Sequence, residues 1–141
     1  MLPIVPPPIL LSAYRQGLFP MAEHRDDSTL YWIDPEKRGI LPLESFHIPR
    51  RLRRKLARRH FKVRCDSAFE AVIRKCASPR PGRGETWIND EIIDLYIELH
   101  EMGRAHSLES WRDGDLVGGL YGVTLGAVFF GESMFSAETD A

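Results

Sequence analysis

The first part of the chain alternates short apolar runs with turn-forming residues. After a proline-rich start, apolar residues recur at helical spacing over 9–16, and Gly17 is expected to end this helix because glycine tolerates the left-handed conformation of a helix C-terminus. Two more apolar runs, 30–33 and 40–43, are bounded by proline or glycine and are predicted to be short strands. This pattern indicates a small accessory domain, which we assign to residues 1–36.

An arginine-rich helix is predicted next. Pro49 suits the first turn of a helix, where its missing amide hydrogen is not needed, and the helical pattern continues to about residue 59. Leu52 and Leu56 are the only expected inward-facing anchors of this helix. The segment is therefore amphipathic but mostly polar.

From residue 61 the pattern predicts a strand followed by two helices. FKVRC at 61–65 alternates as a strand does, and Ser67-x-x-Glu70 is a capping-box pattern that opens a helix ending near Cys76. A loop rich in proline and glycine follows, and Asn89 is the expected N-cap of the next helix. The apolar stripe of that helix consists of Ile92, Ile93, Tyr96 and Leu99.

Three β segments end the pattern, over residues 105–112, 116–125 and 127–136. Asp113-Gly114 supplies the positive φ angles of a tight turn between the first two, so an antiparallel meander is expected. The predicted fold class is α+β. By analogy of element order alone, residues 37–141 resemble the first half of a GNAT-like acyltransferase domain, a partial domain that follows the accessory one.

Charge is segregated along the chain. The formal net charge is −1, yet residues 50–64 hold nine Lys or Arg and no acid. A polyanion such as a nucleic acid is a suitable partner for such a stretch. The alternative is a solvated helix face without a partner, and the run of charge alone does not decide between the two.

The remaining composition points to an ordinary globular chain in a reducing compartment. Of the 141 residues 43% are hydrophobic and 10% aromatic, which is enough apolar material for a core. Cys65 and Cys76 form no CxxC pair and are expected to be reduced thiols, and no metal site is expected. The apolar opening, interrupted by four prolines, is too short to span a membrane, so we expect neither a targeting nor a spanning segment.

One carboxylate is a candidate for chemistry. Glu132 lies among Phe129, Phe130, Met134 and Phe135 in an otherwise apolar strand. A carboxylate in such surroundings is expected to have a partner, whereas the alternative is an edge position facing water. His106 and His47 have no catalytic partner visible in the sequence and are expected to have structural roles.

Seven strings in the same order resemble the leucyl/phenylalanyl-tRNA-protein transferase family. They are AYRQGLFP at 13–20, LYWIDPEKRGILP at 30–42, SFHIPR at 45–50, TWI at 86–88, AHSLE at 105–109, LVGGLYGV at 116–123 and FGESMFS at 130–136. Several are weak alone, but FGESMFS together with the upstream TWI is distinctive. The resemblance extends over residues 9–141.

The resemblance implies a cytoplasmic bacterial enzyme that moves Leu or Phe from aminoacyl-tRNA to a protein beginning with Lys or Arg. In the family this tags the acceptor protein for N-degron proteolysis and requires no cofactor, coenzyme A, ATP or metal, because the ester to tRNA is already activated. The chemistry is aminolysis of an ester. It requires a groove for an RNA end, an apolar pocket and polar groups that position the attacking amine.

The resemblance also assigns roles to particular residues. Tyr14, Trp87 and Tyr96 would hold the terminal adenosine of the tRNA, Tyr14 and Trp87 by stacking, although their spacing alone favours core positions for these two. Glu132 would hold the amine or the basic first side chain of the acceptor protein. The aminoacyl pocket would consist of Leu120, Phe129 and Met134, which on pattern alone are core residues. The tRNA backbone would contact Arg50, Arg54, Lys55, Arg58 and Arg59. Met21 occupies the position of a family aromatic, which weakens one expected contact.

Family members continue beyond FGESMFS with a helix and further strands that carry an aspartate and a glutamine. On this ground we expect the 141-residue chain to be a shortened form that is inactive or weakly active alone, with an exposed apolar edge at its last strand. A different hypothesis is a non-catalytic RNA-binding module that uses the arginine-rich helix. It predicts salt-sensitive RNA binding with little preference for aminoacylated ends.

Overall fold

A computed structural model describes residues 5–141. Part of the proline-rich start, residues 1–4, lies outside the described residues. The helices are α1 (Pro7–Arg15), α2 (Arg50–Ala57), α3 (Phe69–Ala77) and α4 (Asp90–Glu101), with a single 3-10 turn at Leu43–Ser45. The strands are β1 (Phe19–Met21), β2 (Tyr31–Ile33), β3 (Lys62–Cys65), β4 (Ala105–Arg112), β5 (Asp115–Leu125) and β6 (Val128–Ser136).

The N-terminal elements follow the predicted pattern in part. Helix α1 is followed by Gly17, whose φ of 84° gives the expected left-handed ending. Strands β1 and β2 pair antiparallel, with Phe19 opposite Ile33. The predicted strand at 40–43 is wrong: in the described chain this stretch pairs with no strand, and Ile40 and Leu41 are 78% and 74% exposed. An apolar run becomes a strand only where a partner satisfies its backbone.

The arginine-rich helix forms as predicted, but its two leucines are not the buried anchors that the sequence predicted. Within the described chain α2 has no buried residue, Leu52 is half-buried and Leu56 is 49% exposed. Two leucines supply too little apolar area to draw a helix with this many charges into a core. The helix therefore lies on the surface.

The start of α3 differs from the predicted capping box. The N-cap residue is Ala68, and the hydroxyl of Ser67 donates to Glu109 of β4. The same carboxylate accepts hydrogen bonds from the backbone amides of Ser67 and Ala68, both at 3.0 Å. A buried acid from the sheet thus satisfies amides that the local Ser and Glu were predicted to cap.

Helix α4 begins as predicted. The Asn89 side chain accepts a hydrogen bond of 2.8 Å from the amide of Ile92. The four residues of its predicted apolar stripe are buried at 0–1% exposure. The helix therefore packs closely over the sheet, and Gly103 follows it with a φ of 69°.

The main sheet has the strand order β3-β4-β5-β6, and all its neighbouring pairs are antiparallel. Asp113 and Gly114 adopt φ angles of 51° and 92° in the turn between β4 and β5, so the predicted meander is confirmed. Helices α3 and α4 pack on the face that carries Tyr121, whose ring contacts Phe69 and Tyr96. The opposite face exposes Leu108 and Met134.

The chain is an α+β protein, as predicted. Leu10 and Tyr14 of α1 belong to the same buried cluster as the residues of α3, α4 and the sheet. The first segment therefore shares a core with the rest, and the boundary between residues 36 and 37 stays a prediction, as does the GNAT-like topology. Across residues 5–141, no helix has the length and apolar character needed to cross a bilayer.

Candidate functional site

A β-bulge determines where Glu132 points. Tyr121 of β5 pairs with Ser133 of β6, whereas the next residue, Gly122, pairs with Gly131. Glu132 is therefore the extra residue of the bulge, without a partner of its own in the ladder. In regular alternation Ser133 and Glu132 would face opposite sides of the sheet. The bulge instead allows the Glu132 carboxylate to reach the helix-covered side.

Glu132 is the end of a buried chain of hydroxyl groups. The Tyr14 hydroxyl donates to Oε1 of Glu132 at 2.6 Å, and the hydroxyl oxygens of Tyr14 and Tyr96 are 2.5 Å apart. A tyrosine has one hydroxyl hydrogen, so Tyr14 donates to Glu132 and receives the hydrogen of Tyr96. The structure thus brings together three residues that are 36 to 118 positions apart in sequence.

Packing holds these side chains in place. Tyr14 is 3% exposed and its ring lies 5.2 Å from that of Phe130, on the same strand as Glu132. Tyr96 is fully buried, and its ring lies 5.6 Å from that of Tyr121 in an edge-on arrangement. Aromatic contacts of this kind restrict ring movement. The Tyr14 hydroxyl is therefore held against Glu132, and the Tyr96 hydroxyl is held against Tyr14.

Burial makes the ionised carboxylate unfavourable. It raises the pKa of Glu132 to about 7, although the hydrogen bond from Tyr14 and the charge of Arg38 favour the ionised form. Burial also raises the pKa values of Tyr14 and Tyr96 above their ordinary range, so both hydroxyls stay protonated near neutral pH. Glu132 is the group of this cluster that changes charge near pH 7.

Arg38 and Glu109 are two charged residues that the sequence analysis missed. Arg38 donates to the carbonyl oxygen of Gly17 and lies 5.7 Å from the centre of the Phe19 ring, which holds its charge near the Glu132 site. The sequence signal that could have identified Arg38 was its position within LYWIDPEKRGILP, one of the strings that carry the family resemblance. Glu109, in AHSLE, is 1% exposed; burial opposes its charge, yet hydrogen bonds from the hydroxyls of Ser67 and Ser107 keep its pKa lowered.

Trp87 lies outside the hydroxyl chain. Its indole is half-buried and packs against the core, and its carbonyl oxygen accepts a hydrogen bond of 3.1 Å from the amide of Ala22. Among the described residues, no hydrogen bond or ring contact joins Trp87 to Glu132. The role of Trp87 in holding an adenosine stays a prediction.

The predicted aminoacyl pocket lies on the other face of the sheet. Leu120 and Met134 pair across β5 and β6 and both line an open hollow of about 460 Å³. Phe129 is 42% exposed, and its ring lies over Gly122 instead, where a Cβ atom would come within 2.6 Å of it. The structure therefore brings two of the three residues into one hollow, and Glu132 does not line that hollow.

The predicted RNA-contacting residues occupy different surroundings. Arg50 and Arg54 border an open groove of α2 together with Arg53. Lys55 is in an ion pair, with its Nζ 2.9 Å from Oδ2 of Asp140. The other two follow the helix: Arg58 is its C-cap, and Arg59 has a φ of 50°.

The two histidines and the two cysteines have different surroundings. Nδ1 of His106 lies 2.8 Å from a carboxylate oxygen of Asp66, and His47 is exposed. Cys65 is exposed and Cys76 is buried, and both are free thiols; burial raises the pKa of Cys76 to about 11. Among residues 5–141, no group of three acidic, histidine or cysteine side chains is arranged to hold a metal ion.

Taken together, the cluster is suited to holding an amine. Glu132 presents an acceptor that changes charge near neutral pH, and the Tyr14 hydroxyl fixes one of its oxygens. An ammonium group beside a partly desolvated carboxylate forms a strong, charge-assisted hydrogen bond. Chemically, such an arrangement is able to pair with a primary amine.

Comparison with known proteins identifies the family. The family model for leucyl/phenylalanyl-tRNA protein transferase matches residues 40–141, and the model for the N-terminal domain of that transferase matches residues 5–36. A leucyl/phenylalanyl-tRNA–protein transferase of Paramagnetospirillum magneticum is 62% identical over 133 residues, which is 94% of this chain and 64% of that protein.

Proteins of the same name from Nitrobacter winogradskyi and Novosphingobium aromaticivorans are each 58% identical over 137 residues, or 97% of this chain. Those matches cover 61% and 52% of the two relatives. The chain thus spans less than two thirds of the length of these curated relatives. It belongs to the leucyl/phenylalanyl-tRNA protein transferase family.

Proposed function

We propose that this chain forms the amine-positioning and RNA-end-binding part of an aminoacyl-tRNA–protein transferase. The proposed reaction moves Leu or Phe from aminoacyl-tRNA to the N-terminal Lys or Arg of an acceptor protein and so marks it for degradation, in the cytoplasm. The name that the relatives carry supports this reaction class. The observation that carries the proposal is the partly buried Glu132, which accepts a hydrogen bond from Tyr14, whose hydroxyl is in turn bonded to that of Tyr96.

In the proposed reaction the uncharged α-amino nitrogen of the acceptor attacks the carbonyl carbon of the aminoacyl ester. An N–C bond forms, and the C–O bond to the terminal ribose breaks. The amine loses one proton, and the departing ribose oxygen gains one. Glu132 holds the amine or the basic first side chain of the acceptor, and the hydroxyl of Tyr14 fixes the carboxylate.

Trp87 is the proposed platform for the terminal adenosine, because its side chain is only half-buried, unlike those of Tyr14 and Tyr96. Tyr14 and Tyr96 are buried, with the Tyr14 hydroxyl bonded to Glu132 and the Tyr96 hydroxyl bonded to Tyr14, so we propose that they contribute to the wall of the site more than to base stacking. Stacking of a base on an aromatic ring is worth ~1–3 kcal/mol. Trp87→Ala is expected to weaken binding of a charged tRNA end by that amount.

For the aminoacyl side chain we propose Leu120 and Met134. Their hollow and the hydroxyl chain lie on opposite faces of the sheet, so this proposal requires the ester and the amine held by Glu132 to meet at the edge formed by β6. Both residues line an open hollow of about 460 Å³, whose walls also include Arg80, Glu109 and two serines. Phe129 lies on the same face of the sheet and extends the apolar surface. Such walls distinguish side chains by only ~1–3 kcal/mol per methylene.

The test is transfer of radiolabelled Leu from charged tRNA to a peptide beginning with Arg. The 141-residue chain is compared with the same chain extended by the remaining residues of the Paramagnetospirillum magneticum relative. Transfer by either form supports the proposal, provided that a peptide with an acetylated N-terminus accepts no label. Absence of transfer by both forms overturns it.

Two variants connect the assay to the site. Glu132→Gln keeps the size of the side chain but removes its charge, and is expected to reduce transfer at least about tenfold, because one charge-assisted contact is worth ~1.5–3 kcal/mol. Glu138→Gln, which removes an acid outside this cluster, is the matched control. An RNA-binding module without catalysis would instead bind charged and uncharged tRNA equally and transfer nothing.

A further inference from the structure

Helix α2 is attached to the protein by charge and not by a core. No residue of this helix is buried in the described chain. Its contacts with the sheet domain converge on one acid, Asp140: Nη2 of Arg51 lies 3.2 Å from Oδ1, and Nζ of Lys55 lies 2.9 Å from Oδ2. Lys55 also donates to the carbonyl oxygen of Thr139 at 3.0 Å.

Asp140 is itself held by a compact turn that follows β6. The amide of Ala137 donates to Val117 of β5 at 2.8 Å, and the amide of Ala141 donates to the carbonyl oxygen of Glu138 at 3.1 Å. Asp140 adopts a φ of 69°, and its side chain is 22% exposed. The turn is thus continuous with the sheet and presents this carboxylate in a fixed direction.

The helix consequently has two basic faces. Arg51 and Lys55 are four residues apart and lie on one face, which Asp140 occupies. Arg50, Arg53 and Arg54 border a groove on another face. Charge along the sequence does not distinguish the two sets, but their partners in the structure do.

We propose that Asp140 docks α2 onto the sheet domain through Arg51 and Lys55, which leaves Arg50, Arg53 and Arg54 as the face that binds RNA phosphates. Asp140 is a positioning residue in this proposal. The part that concerns RNA rests on the proposed function. The docking part does not, and it is tested separately without RNA.

Hydrogen exchange of the α2 backbone amides tests the docking. Asp140→Asn keeps the shape of the side chain but removes its charge, and is expected to speed exchange in α2 about threefold to fivefold, as loss of a shared surface ion pair predicts. Glu138→Gln makes the same charge change in the same turn, but its partner is Arg112 of β4, at 3.0 Å. Equal exchange in both variants, or no change in either, overturns the docking role.

Binding of an uncharged tRNA transcript at several salt concentrations tests the division of faces. A phosphate contact contributes ~0.7–0.9 to the slope of log affinity against log salt. Arg50→Gln and Arg54→Gln are each expected to lower the slope by about that amount, whereas Arg51→Gln and Lys55→Gln leave it within ~0.3 of the parent value.

The outcomes separate the two claims. Equal losses of slope from all four substitutions overturn the division of faces. If the transcript does not bind, the RNA-binding part of the proposed function fails together with that division, while the exchange measurement still decides whether Asp140 docks the helix.

Discussion

Replacing Glu132 by glutamine should make the protein more stable at pH 8 than the parent chain. Folding raises the pKa of this carboxyl from 4.5 to about 7, so the folded state binds the proton more tightly than the unfolded one. Stability from this group is therefore present at low pH and is lost as the pH rises from about 4.5 through about 7. Between pH 5 and pH 8 the loss amounts to roughly 2.5 kcal/mol, because each pKa unit corresponds to about 1.4 kcal/mol.

The assay is urea unfolding at pH 5 and pH 8 for both proteins. The free energy of unfolding of the parent chain should fall by roughly 2.5 kcal/mol more than that of Glu132→Gln over this interval. Glu138→Gln, whose side chain is outside the cluster, should retain the parent's pH dependence. Parallel pH dependence in the parent and Glu132→Gln would refute the reasoning, because it would mean that folding does not desolvate this carboxylate.

Three other substitutions test a hydrogen bond of the site, a helix cap and a close contact in the sheet. Tyr14→Phe removes the hydrogen bond that favours the ionised acid, so the pKa of Glu132 should rise further by ~1, measured by carbon NMR of the carboxyl group. Asn89→Ala removes the N-cap of α4 and should destabilise the chain by ~1 kcal/mol in urea unfolding. Gly122→Ala places a Cβ atom 2.2 Å from a carbonyl oxygen of β6 and should lower the melting temperature by several degrees, an effect of ~1–3 kcal/mol, whereas Gly84→Ala, with open space around it, should not.

The elements that were predicted correctly are those with local causes. Asn89 and the apolar stripe after it define α4 within a few residues, and Asp113-Gly114 defines a tight turn by its own conformational preferences. The capping box failed because Ser67 bonds to Glu109, a residue 42 positions away. A local pattern contains no information about such a partner.

The candidate site was likewise predictable only where its cause is local in the sequence. The apolar neighbours of Glu132 in the sequence were enough to predict an unusual carboxylate. Its hydrogen bond from Tyr14 depends on a bulge in β6, and the contact between Tyr14 and Tyr96 depends on the packing of α1 against α4. Neither can be predicted from the spacing of residues in the sequence. The position of Arg38 near this carboxylate likewise depends on a loop that crosses to Gly17.

Stability does not explain why a carboxylate occupies position 132. Glutamine has nearly the same shape, accepts a hydrogen bond from Tyr14 and avoids the cost of a buried charge. Under the proposed function the charge has a reason, because an ammonium group bound beside Glu132 would lower its pKa and offset the desolvation. A bound amine should therefore stabilise the parent chain at pH 8 and leave Glu132→Gln unchanged. This coupling connects the pH dependence of folding to the proposed binding of an amine.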